Sequence, residues 1–212
     1  MKKFLSGLAL VALTLPLTSW SAPVDDAVAE LQREWEVIRY QTQVSERAKR
    51  FEVLAEKARQ VSTTHTGRSE PLIWEGIIVS SLAGEKGGLG ALSLAKQAKA
   101  LYEQAIAINA KALDGSAYNS LGVLYYKVPG WPLAFGDKTK AEELLKKALE
   151  INPGGIDSNY FYGEFLIESK RVSEGIAYLE RALQAPARSG RHIADTGRRE
   201  EARVLLAKTT GK

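Results

Sequence analysis

Small and large residues alternate at helical spacing in Ala141, Leu145 and Ala148, and the same alternation returns 34 residues later in Gly175, Leu179 and Ala182. A period of this length restricts the fold more severely than composition can. Such a unit holds two helices and a turn but cannot bury its own apolar stripe, so each unit has to stack on the next. A further copy, Ala98, Tyr102 and Ala105, stands 43 residues before Ala141, Leu145 and Ala148. The expected fold is therefore an all-α solenoid of helical hairpins, a class that more often holds something than transforms it.

Tyr118, Leu121, Gly122 and Tyr125 set bulky residues at i, i+3 and i+7 on one helical face, with a glycine where a partner helix must come close. This arrangement resembles the first helix of a tetratricopeptide repeat. The resemblance implies a second helix from about Lys138 to Ile151, stopped by Asn152-Pro153. The next repeat, from about Ile156 to Ala185, keeps Gly163, Gly175, Leu179 and Ala182 in register, although Asn159 stands where the pattern has a large residue. Between Gly76 and Ala98 the chain carries ten residues more than the family pattern, and between Gly122 and Ala141 seven more. Upstream, Val28, Leu31, Trp35 and Ile38 make one apolar stripe and Ala48, Phe51, Ala55 and Ala58 another. About four helix pairs result, over residues 24–62, 69–109, 115–152 and 156–186, followed by a capping helix over about 195–207 with Asp195 as its N-cap.

Residues 1–22 read differently. Lys2 and Lys3 precede an apolar run from Phe4 to Leu17, and small or polar residues follow through Ala22, the pattern of a secretory signal peptide. The run is short for a bilayer span, which takes roughly 20 apolar residues. Processing is expected to leave a mature start at Ala22 or Pro23, one domain over 23–212 and no stable membrane span. With no cysteine there is no thiol for a lipid anchor, no disulfide and no cysteine-based zinc site. Export without an anchor implies the periplasm in a two-membrane bacterium. The formal charge of +4 falls to +2 on loss of Lys2 and Lys3, too little to argue for nucleic acid.

Chemistry has few candidates. His65 and His192 lack partners at ligand spacing, so no metal site is expected, and neither a nucleophile elbow nor a phosphate-loop lysine occurs. Gly87-Gly88-Leu89-Gly90 follows no strand and reads as a turn between helices. No catalytic residue and no cofactor is assigned.

Three places remain for binding. The resemblance implies that first helices line a concave face, with Asn119, Tyr126 and Lys127 pointing inward from one repeat and Tyr160, Glu164 and Ile167 from the next. These either hold an extended peptide or pack on their neighbours. The two insertions lie between paired helices and should share one side of the array. There Trp131 and Phe135, in the segment Pro129 to Asp137, and Gly88 and Gly90 either edge a ligand groove or pack back, with Asp137 capping the next helix. Lastly, Arg188, Arg191 and Arg198 form a basic stretch that is either an anion site or a solvated loop entering the capping helix. The leading reading is an exported, non-enzymatic scaffold for a protein or peptide in the cell envelope. The alternative is a small-ligand-handling or transporter-accessory protein, because the chain is also similar to the periplasmic repeat components that accompany TRAP transporters.

Overall fold

A computed structural model describes residues 23–211, so the signal-peptide reading of residues 1–22 lies outside the described residues. Among these, nine helices follow in order: α1 Pro23–Gln41, α2 Val44–Thr64, α3 Ser69–Lys86, α4 Gly88–Asn109, α5 Ala112–Lys127, α6 Lys138–Ile151, α7 Ile156–Glu168, α8 Val172–Gln184 and α9 His192–Thr210. Each odd-numbered helix up to α7 packs on the even-numbered one after it. The repeated residues sit at these contacts: Ala98, Tyr102, Ala105, Ala141, Leu145, Ala148, Leu179 and Ala182 are all buried. Gly122 shows why the pattern needs a residue without a side chain. A Cβ there would lie 2.8 Å from Leu145 Cγ and 3.2 Å from the Ala141 carbonyl, too close for helices at this spacing.

One expectation about the insertions is overturned. The ten additional residues between Gly76 and Ala98 are helix, not loop. The apolar period continues through Val79, Leu82 and Ala83 on one side and Leu94 and Ala95 on the other, so burial favours lengthening both helices. The reversal is left to Gly87 and Gly88, at φ 62° and 61°, a region that favours glycine. Gly88 and Gly90 consequently lie in the first turn of α4, and Cβ atoms added to them would meet nothing within 4 Å.

The seven-residue insertion is a loop. Gly136 N–H donates to Pro129 O at 2.9 Å, Leu133 N–H to Gly130 O at 3.1 Å and Asp137 N–H to Tyr125 O at 2.8 Å, so the loop is tied at both ends. Asp137 accepts from Lys140 N–H at 3.1 Å and caps α6 as expected.

The odd-numbered helices touch in series, α1 to α3, α5, α7 and α9, and form the inner layer, with the even-numbered helices outside. The series then closes, because α9 also packs against α1. Gly197 makes this possible, since a Cβ there would enter the ring of Tyr40. The final helix starts at His192, three residues before the expected N-cap, and runs to Thr210. Asp195 is thus inside the first turn, 1% exposed, where it accepts the Arg188 N–H and Nε–H, each at 2.8 Å. It caps the preceding loop rather than the helix.

Candidate functional site

The inner face carries the expected residues but engages most of them with one another. Tyr126 of α5 donates its hydroxyl to Glu164 of α7. Lys127 pairs with Glu164 at 3.1 Å and with Glu168, while Tyr160 reaches Glu164 at 3.5 Å. Tyr126 and Tyr160 are buried, and burial together with the Glu164 charge pushes the Tyr126 hydroxyl well above its ordinary pKa. Ile167 packs in the cluster of Tyr160, Leu179 and Ala202. Of the two readings, packing describes these positions. Lys127 alone stays open to solvent.

The basic stretch is likewise turned inward. Arg198 on α9 donates Nε–H to Asp157 of α7 at 2.8 Å and Nη1–H to Glu201 at 2.6 Å, and its guanidinium lies 4.7 and 4.3 Å from the rings of Tyr160 and Phe161. Arg188 pairs with Asp157 at 2.7 Å and with Asp195 at 2.6 Å. Arg191 lies over the ring of Trp74 at 5.0 Å and 3.5 Å from Glu36 of α1, whose carboxylate also accepts the Ala194 N–H at 3.1 Å. The anion reading of Arg188, Arg191 and Arg198 is corrected accordingly: the chain supplies the carboxylates. Partners in this network lie up to 162 residues apart in sequence, as in the pair of Arg39 with Glu201 at 2.8 Å. No local pattern announces them. The conflict between Arg198 and the positive end of its own helix is the one hint that the sequence offers.

Asp157 converts this network into a pH dependence. Burial disfavours its charged form, but Arg198 and Arg188 outweigh that and hold its pKa well below the ordinary 3.8. A pKa lowered by folding gives stability that is present above pH 3.8 and is lost as pH falls toward the folded value. Asp157→Asn should therefore be less stable than the native chain at neutral pH, with the gap narrowing below pH 3.8. Urea unfolding over a pH series checks this, and a gap that stays constant into strong acid would rule it out.

Two features built from the expected residues face outward unfilled. On the Pro129 to Asp137 loop, Phe135 packs edge-on against Tyr125 at 5.5 Å and lies 5.9 Å from Lys99 Nζ, as the packing reading expects. Trp131, however, is 90% exposed and Leu133 73%. The second is a cleft of about 210 Å³ lined by Asp114, Ser116 and Asn119 of α5, by Asp157 and Ser158 of α7, and by Arg188. Asn119 is 7% exposed, yet its Oδ1 finds no partner. Leaving a buried carbonyl oxygen unpaired costs about 1–3 kcal/mol. Among the described residues no group of three His, Cys, Asp or Glu could hold a metal, and no helix is long and apolar enough to cross a membrane.

Comparison with known proteins agrees with this architecture. The profile of a family described as tetratricopeptide repeat matches residues 133–194. The crystal structure of a thermophilic TPR protein of Thermus thermophilus superposes with a TM-score of 0.59 at 14% identity, over 89% of this chain and 91% of that one. The crystal structure of MamA is matched over 79% of this chain and 91% of its own at 17% identity, with a TM-score of 0.47. No curated protein matches. The fold is an all-α helical solenoid of the tetratricopeptide type.

Proposed function

We propose that this chain is a non-enzymatic, exported scaffold that holds a protein partner in the cell envelope through the loop from Pro129 to Asp137. One observation carries the reading: Trp131 and Leu133 project into solvent from a loop whose backbone is tied at both ends. An exposed tryptophan offers a large apolar face with little side-chain entropy to lose, and such residues dominate binding energy when a partner covers them. The hydrogen-bonded loop has already met most of the ordering cost. The solenoid type supports an interaction role, and the mutual bonding of Tyr126, Lys127, Tyr160 and Glu164 on the inner face directs attention to this edge. Export rests on the pattern of residues 1–22.

Affinity capture from envelope fractions tests both parts. The native chain should recover a discrete partner that the Trp131→Ser/Leu133→Ser variant loses, whereas Val53→Ser, an exposed apolar position on α2, should retain it. Mass spectrometry of the recovered bait should give a chain starting at Ala22 or Pro23. Identical recovery by all three baits would remove the loop from consideration, and an intact Met1 would remove export.

A second reading, a small-ligand-handling or transporter-accessory protein, is favoured by the cleft at Asn119 and its unpaired amide oxygen.

A further inference from the structure

We propose that the cleft at Asn119 binds a small ligand through a primary ammonium group. The inference rests on the small-ligand reading and gives it a chemical class.

The unfilled groups that α5 contributes to the cleft are acceptors, while across from them Arg188 Nη2, ion-paired with Asp195 at 2.6 Å, makes no hydrogen bond. Asn119 Oδ1 is buried without a partner, and Asp114, exposed on the same wall, has no cationic partner among the described residues. On the opposite wall Asp157 adds a second carboxylate, already engaged by Arg188 and Arg198. Arg188 is the one basic residue of the lining, and Asp157 and Asp195 neutralise it, so no free positive charge would repel an incoming cation. Asp157, in the first turn of α7, also offsets the positive end of that helix.

An ammonium group has three N–H donors and no acceptor, which suits an amide oxygen and a carboxylate on one wall. A neutral amide ligand would satisfy Asn119 but leave Asp114 unneutralised. An anion would meet Asp114 with like charge.

The backbone also commits Asp114 to its place. Leu113 and Asp114 take left-handed conformations at φ 47° and 56°, which cost about 1 kcal/mol or more for residues other than glycine. Ser116 donates to Leu113 O at 2.7 Å and helps hold this turn. The volume of about 210 Å³ has room for about seven waters, or for a ligand the size of a small amino acid.

Isothermal titration of the full chain with ethylamine, glycine and putrescine, with acetamide and acetate as neutral and anionic controls, tests the assignment. Asp114→Asn is a clean probe, because asparagine tolerates the left-handed backbone and only the charge is lost. Asn119→Leu removes the unpaired amide, so its thermal midpoint should hold or rise while binding fails. At least one amine should bind the native chain, about tenfold more weakly to Asp114→Asn, and not measurably to Asn119→Leu. No heat with any of the three amines, equal affinity in both variants, or binding confined to acetamide or acetate would overturn the proposal. Because Trp131 and Leu133 take no part in the cleft, the capture experiment and this one fail independently.

Discussion

Arg198→Ala is expected to destabilise the protein by about 3 kcal/mol, the loss typical of removing one member of a buried ion-pair network. Its side chain is 9% exposed and joins three parts of the inner layer. The guanidinium binds Asp157 of α7, covers Tyr160 and Phe161, and bonds Glu201, whose other oxygen receives Arg39 of α1. Alanine would leave Asp157 with Arg188 only and would uncover two rings. Urea unfolding measures the loss. Arg203→Ala is the control, since its pair with Glu200 at 3.0 Å is more than half exposed on both sides and should be worth about 0.5 kcal/mol or less. A shift as small as that in Arg198→Ala would mean that the ends are held together by something else.

The second large effect is expected at Gly197. Alanine there would drive a methyl group into the ring of Tyr40, at a cost of about 1–3 kcal/mol. The clash is specific to one pair. Tyr40→Ala loses the ring's packing on Trp35 and its hydroxyl contact with Glu201 at 3.5 Å, whereas Gly197→Ala/Tyr40→Ala should be more stable than the sum of the single changes allows, because the new methyl then has room. The chain has no cysteine, so spin labels at Gln41→Cys and Val204→Cys would be the sole thiols. In the native background they should report one short, narrow distance between α1 and α9. Broadening to longer distances in Gly197→Ala, with recovery in the double variant, is the expected result. Additive energies and an unchanged distance would show that the two helices do not depend on this contact.

The repeating part of the fold is legible because it is local. Gly122, Leu145 and Ala148 lie on the two helices of one hairpin, so their spacing along the chain carries the contact, and α6 begins and ends where the pattern puts it. The same logic misreads the segment around Gly87. A count of residues cannot tell a longer loop from two longer helices, whereas Val79, Leu82, Leu94 and Ala95 keep the helical period and can. The candidate sites are less legible. Asn119 stands out as a polar residue among packing positions, and its amide oxygen is the one on the inner face of α5 that stays unpaired. Tyr126, Glu164 and Lys127 are visible only separately, since their mutual bonding depends on how far α5 and α7 are rotated toward each other.

The pairing of helices, most of their bounds and the residues at each hairpin contact can be read from the residues alone. Those properties depend on neighbours within one repeat length, and a 3.6-residue period with small residues at the crossing points encodes them. The bending of the array until α9 meets α1 emerges only in three dimensions, because a small rotation per repeat accumulates and no single residue encodes its sum. That closure decided the rest. It turned Arg188, Arg191 and Arg198 from an exposed basic stretch into the internal counter-charges of Asp157, Asp195 and Glu36, and it covered part of the inner face. Among what it left open are a cleft beside Asn119 and a tied loop that holds Trp131 in water.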